Sequence, residues 1–233
     1  MIKNRRIKGI LFDSGDTLVR PKGGKWWPAH YFRKILAGNG VQNIQWNQLK
    51  FAQEKGMQYL NEHHYLRTED EEREQFKIFY RIVLEELHVP CIKDSVLLEL
   101  ADAAVDQVEF EPFPETILIL EKLHDKGLSL GIVSNAWPSL EKKYRLIGLR
   151  KYFNTFVISA LEGCTKPCES IYEKAMNEIG LSPGNLLFVD DVPGYVKKAI
   201  EMGMNGIVIS NYGLQDNIDM PYLSSLGDIE TII

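Results

Sequence analysis

Disulfides, membrane spans and a charge excess are all missing from this 233-residue sequence. It has three cysteines, Cys91, Cys164 and Cys168. An odd count in a chain of this length is no disulfide framework. Cys164 and Cys168 stand four apart with no second ligand pair, so a four-ligand structural zinc site is not expected. No stretch approaches the roughly 20 apolar residues of a membrane helix. Residues 1–6 are basic, but the apolar run behind them is too short for a signal-peptide core. Lys and Arg number 27 against 32 Asp and Glu, a net charge of -5. That balance gives no general attraction to nucleic acid or to an anionic membrane. Repeats and low-complexity segments are absent too. A cytoplasmic protein in a reducing compartment is expected, with neither nucleic acid nor membrane as partner. The sequence says nothing about oligomeric state.

What is present is enough apolar residue, 45% of the chain, for one core or a core with a satellite. Residues 7–12 form a short apolar run stopped by Asp13-Ser14-Gly15-Asp16, the pattern of a buried strand ending in a turn. From about residue 28 to 110 the period becomes helical, with helices expected at 29–36, 47–60 and 93–108 and no convincing strand. Thr68 with Glu71 three positions on is a capping-box signature, followed by apolar residues at helical spacing from Phe76 to Leu87. After Pro112 strands are expected at 128–133, 156–159, 186–189 and 206–209, alternating with helices at 115–126, 139–146, 170–179 and 196–202. Such alternation predicts βαβ units and a parallel sheet. The expected fold is therefore α/β, a doubly wound parallel sheet with a Rossmann-like core (residues 1–20 and 111–233) and an inserted helical-bundle domain (21–110).

In an open parallel sheet, ligands bind beyond the carboxyl ends of the strands. Four successive loops place polar groups there: Asp13, Ser14, Gly15, Asp16 and Thr17; Ser134 and Asn135; Lys166 before Pro167; and Asp190 with Asp191. Clustered carboxylates repel unless a cation or a proton relieves them, and an all-oxygen set suits Mg²⁺. A hydroxyl and an ammonium nearby would hold an anion. Singly, each group also reads as a turn, a helix cap or a solvated lysine. Four of them in order at strand ends favour one shared site for phosphoryl transfer.

Residues 9–18, from Gly9 to Leu18 through Asp13, Val133-Ser134-Asn135, Lys166-Pro167 and Phe188-Val189-Asp190-Asp191 together resemble the four motifs of the haloacid dehalogenase-like superfamily. The resemblance spans essentially the whole chain, and the insertion falls where one branch carries a helical cap. It implies that Asp13 is the nucleophile and forms an aspartyl-phosphate. It also implies that Asp13, the Gly15 carbonyl and Asp191 bind Mg²⁺, with Asp190 as a further carboxylate. By the same resemblance Ser134, with Asn135 and Thr17, binds the phosphoryl group, and Lys166 neutralises charge. The cap would close over a small phosphorylated substrate.

Two departures stand out. The acid–base Asp usual two residues after the nucleophile is replaced by Gly15, with Asp16 one place later. General acid–base help contributes about 10²–10⁴-fold, so a slow phosphatase is expected if Asp16 substitutes. A binding or regulatory protein without turnover is the alternative. Tyr195 stands where a further acidic residue often follows the last motif. Dehalogenation is disfavoured, because it needs no metal and the Asp190-Asp191 pair argues for one. Elsewhere, Trp26 and Trp27 read first as hinge packing, His30 and Arg33 as a wet helix face, His63 and His64 as surface residues pointing apart, and residues 69–74 as a solvated helix start.

Overall fold

A computed structural model describes residues 7–42, 44–213 and 220–233; the basic segment 1–6 lies outside them. In chain order the structure runs β1 (Gly9–Phe12), β2 (Val19–Pro21), α1 (His30–Gly38), α2 (Leu49–Glu62), α3 (Glu69–Glu86), α4 (Asp94–Asp106), β3 (Phe110–Pro112) and α5 (Thr116–Asp125). It continues with β4 (Ser129–Ser134), α6 (Leu140–Leu146), β5 (Thr155–Ile158), α7 (Ser159–Glu162), α8 (Glu169–Ile179), β6 (Leu186–Asp190), α9 (Pro193–Glu201), β7 (Asn205–Ile209) and β8 (Tyr222–Leu223).

Six strands form one parallel sheet in the order β5-β4-β1-β6-β7-β8. β1 is buried along its whole length, which is why it reads as a continuous apolar run and not an alternating one. Ile10 and Phe12 join Ile132 and Val189 in the core on one face, while Leu11 joins Val133, Tyr172 and Phe188 on the other. Helices therefore cover both faces, the doubly wound arrangement expected. The register pairs Phe12 with Ile132 of β4 and with Val189 of β6. The next residue, Asp13, donates its backbone N–H to the Val189 carbonyl at 2.9 Å. Asp13 thus leaves the sheet level with Val133 and Asp190, at the point where the strand order reverses around β1.

The four helices α1–α4 lie between β2 and β3 and enclose a core of their own, including Phe32, Leu36, Phe79, Val83, Leu84, Leu97 and Leu100. A Cβ on Gly56 would sit 2.5 Å from the Phe79 ring, so α2 and α3 approach too closely there for any larger residue. Thr68 caps α3 as its sequence suggests, accepting from Glu71 N at 3.1 Å. The Glu71 carboxylate reaches one residue further back than a capping box requires, to Arg67 N at 2.6 Å.

Two features were not expected. β2 and β3 pair antiparallel, Val19 with Pro112 and Pro21 with Phe110, forming a ribbon across both borders drawn between core and insertion. Three residues per strand, each ending in proline, leave no alternating pattern to read. The two-residue β8 extends the sheet edge.

Candidate active site

Lys166 is the hub of the strand-end cluster. Its ammonium donates to Asp13 Oδ1 at 2.6 Å and to Asp190 Oδ2 at 2.7 Å, and the residue is only 2% exposed. Burial opposes its charge, but Asp13 and Asp190 outweigh burial and hold its pKa above the ordinary lysine value. The loop carrying it is clamped by Asn135, whose Oδ1 accepts from Lys166 N at 2.8 Å while its amide donates to Lys166 O at 3.2 Å. The Tyr195 ring lies 5.2 Å from the ammonium and the Phe188 ring 5.7 Å. The tyrosine in the place of a usual acidic residue is therefore a wall of the lysine's pocket.

Asp13, Asp190 and Asp191 each offer an oxygen within 4.8 Å of the other two. Asp190 is fully buried, and its second oxygen accepts from Val192 N at 2.8 Å. Burial pushes its carboxyl pKa up, with Asp13 adding to the rise and Lys166 opposing it. Asp191 is pushed up to about 7, by burial first and then by the charges of Asp13 and Asp16. Carboxyl oxygens this close, two of them on groups reluctant to ionise, could hold a hard divalent cation. Both oxygens of Asp190 already have donors, which leaves Asp13 and Asp191 the better placed to share an ion.

Asp16 takes a left-handed conformation, φ 54°. Its Oδ2 accepts from Trp26 Nε1 at 2.8 Å and its Oδ1 from Tyr212 OH at 3.0 Å. Both carboxylate oxygens are thus engaged by residues from outside its own loop. Trp26 also crowds Gly15: a Cβ there would lie 3.2 Å from the indole ring, so the ring would have to shift by a few tenths of an ångström. Thr17 is fully buried and its hydroxyl finds no hydrogen-bond partner among the described residues. Ser14 Oγ hydrogen-bonds Tyr144 OH at 2.7 Å.

A cavity of about 440 Å³ opens above this loop edge. Ser14, Gly15, Ser134 and Asn135 line it from the sheet side, and Trp26, Trp27, Met57, Phe76 and Glu72 from the insertion. Glu72 corrects the reading of residues 69–74 as a solvated start. It is 1% exposed and accepts from Ser139 N at 2.8 Å and Ser139 Oγ at 2.7 Å. Gln75, one turn on, accepts from Trp137 Nε1 at 2.9 Å. Nothing local distinguished Glu72 from its acidic neighbours; only the docking of α3 on the loop before α6 selects it. Lys143, which also lines the cavity, donates to Ala104 O at 2.6 Å and was missed for the same reason. Trp27 packs on Phe32 and Phe79 as expected and His30 is exposed. Trp26, read as hinge packing, is instead exposed with its indole N–H on Asp16. Of the two histidines read as surface residues, His63 is exposed beside Tyr59, while His64 is half-buried because its ring reaches across to Ser159.

Comparison with known proteins agrees with this geometry. Two archaeal proteins named glyceraldehyde 3-phosphate phosphatase are similar over most of their length. The one from Methanothermobacter thermautotrophicus is 28% identical over 88% of this chain and 86% of its own. The one from Methanocaldococcus jannaschii is 27% identical over 97% of each. A phosphatase structure from Thermococcus onnurineus superposes with a TM-score of 0.65 at 23% identity, covering 97% of both chains, a likeness of fold. The family model for haloacid dehalogenase-like hydrolases matches residues 7–194. Since that span takes in all four loops carrying Asp13, Ser134, Lys166 and Asp191, the chain belongs to the haloacid dehalogenase-like hydrolases.

Proposed function

We propose that this hydrolase is a Mg²⁺-dependent phosphatase of a small phosphorylated metabolite, working through an aspartyl-phosphate on Asp13. The observation that carries the reading is Lys166 bridging Asp13 and Asp190 beside Asp191. Asp13, the Gly15 carbonyl and Asp191 would hold the Mg²⁺, which when bound supplies positive charge beside the phosphoryl group. Asp190 orients Lys166 and keeps it protonated.

In the first half-reaction an Asp13 oxygen forms a bond to phosphorus as the bond to the leaving alcohol breaks. Lys166 neutralises the nucleophile's remaining charge and that of the phosphoryl oxygens, and Ser134 donates to one of them. Water then attacks phosphorus, releasing phosphate and regenerating Asp13. Asp16 is the acid–base group of this scheme and reaches the leaving oxygen only by giving up Trp26 or Tyr212. That tether makes the enzyme slow. The cavity volume lies in the range of small-molecule sites, and helices α1–α4 act as the cap that excludes water. The names of the two archaeal relatives support a phosphate ester as substrate and give no support to the turnover-free alternative. Three unpaired thiols and the lack, among described residues, of a helix able to cross a membrane suit a cytoplasmic setting.

The test is phosphate release from a panel of sugar, triose and aryl phosphates, with Mg²⁺ and with a chelator. Turnover should require the metal and vanish in Asp13→Asn. A panel without any metal-dependent, Asp13-dependent release would refute the reading.

A further inference from the structure

Two of the three thiols flank the site's lysine and converge on one hydroxyl. Cys164 Sγ lies 3.0 Å and Cys168 Sγ 3.3 Å from Ser170 Oγ, so both sulfurs border the same hydroxyl. The chain between them folds back, with Cys168 N donating to Thr165 O at 2.8 Å. Lys166 sits in the middle of this short loop. We propose that Cys164 and Cys168 are a peroxide-sensitive dithiol, closing to a disulfide across Lys166 and reversibly switching off the site.

The two thiols are unequal in a way that suits the chemistry. Cys168 is exposed and immediately precedes α8, where helix N–H groups favour a thiolate. Its pKa is held below the ordinary thiol value by the Ser170 hydroxyl and then by the Ser170 backbone N–H. Burial raises that of Cys164, partly offset by Ser170. The Cys168 thiolate attacks hydrogen peroxide, so that an S–O bond forms, the O–O bond breaks and the leaving hydroxide takes up from solvent the proton that the Cys168 thiol had released. The Cys164 thiolate, once its proton has passed to solvent, then attacks the sulfenic sulfur. The S–S bond forms, the S–O bond breaks and hydroxide leaves, again taking a proton. Two thiols lose two electrons and one peroxide becomes two waters. Such transient disulfides are the kind found in reducing compartments.

The cross-link acts through position. Lys166 is fixed at its backbone by Asn135 and at its ammonium by Asp13 and Asp190. Drawing the flanking sulfurs from a shared hydroxyl to bonding distance shifts that backbone. A misplacement on the order of 1 Å costs about 100-fold in turnover.

The experiment uses the full chain carrying Cys91→Ser, so that the pair holds the only thiols. Peroxide treatment should remove both free thiols and about 2 Da of mass, with the link mapped to the peptide holding residues 164 and 168. Phosphatase turnover should fall with it and return with dithiothreitol, while Cys168→Ser and Cys164→Ser versions keep their turnover under the same treatment. Stable oxygen adducts on Cys168 without an intramolecular link would overturn the dithiol. A link formed without loss of turnover would overturn the switch. The loss of turnover rests on the proposed phosphatase activity; the mass measurement does not, so it decides the cross-link even if no phosphate ester is hydrolysed.

Discussion

At the scale of residues, the site's central contact is an ammonium buried between two carboxylates. Removing it strands two anions out of water, which is costlier than the pair itself is favourable. Lys166→Met should lower stability by about 3–5 kcal/mol, measured by urea unfolding at pH 7, and abolish phosphate release. Asp191 gives a pH signature. Its folded-state pKa is about 7, above that of an unfolded carboxylate, so the folded state binds the extra proton between these values. The stability this contributes is present at low pH and lost as pH rises through about 7. In chelator, the melting temperature should therefore carry a declining component from pH 5 to 8 that Asp191→Asn removes. Gly15 is a matter of space. Gly15→Asp, which restores the family's usual acid, should lower activity because the new side chain meets the Trp26 ring. Combining it with Trp26→Ala should recover and exceed the parent's kcat, a comparison that steady-state kinetics makes directly.

At the scale of elements, α3 does two jobs with one sequence. Its N-terminus is capped by Thr68, and Thr68→Ala should cost about 1 kcal/mol, as an exposed cap does. One turn further, Glu72 is buried and holds the backbone N–H and hydroxyl of Ser139. Glu72→Ala leaves that N–H without its partner and should cost about 1–3 kcal/mol, more than the cap, in parallel thermal melts. Helical period and capping residues made α3 legible in the sequence. That Glu72 points to the protein and Glu71 to its own helix start was not legible, because acidic residues on a first turn look alike until something docks on them. The β2–β3 ribbon was illegible for a related reason. Each strand is too short to carry a period, and each finds its strand partner only across the whole insertion.

At the scale of the molecule, the proposed cation between Asp13 and Asp191 would stabilise only the folded chain, since the two carboxylates meet only there. Saturating Mg²⁺ at about 100 times its Kd should raise stability by roughly 2.7 kcal/mol, seen as a higher melting temperature, and Asp191→Asn should abolish the rise. The four helices dock on the rest of the chain through Glu72 of α3, through the end of α4, where Lys143 donates to the Ala104 carbonyl, and through the ribbon, and the cavity lies between them and the strand ends. A parallel sheet places every such loop on one edge, which is why residues as far apart as Asp13 and Asp191 could be assigned to one site before any contact was seen.

The sequence by itself determined the alternation of strands and helices, the helical insertion and the four loops whose polar residues share an edge. All of these follow from local period and from the handedness of βαβ units. Tertiary structure alone decided which contacts those residues make: Asp190 with Lys166, Asp191 within reach of Asp13 and Asp190, Asn135 clamping a loop, Asp16 tied to Trp26 and Tyr212, Thr17 buried. Each of these is a contact between segments distant along the chain, set by register and packing, and no local pattern encodes which of several similar side chains meets its partner.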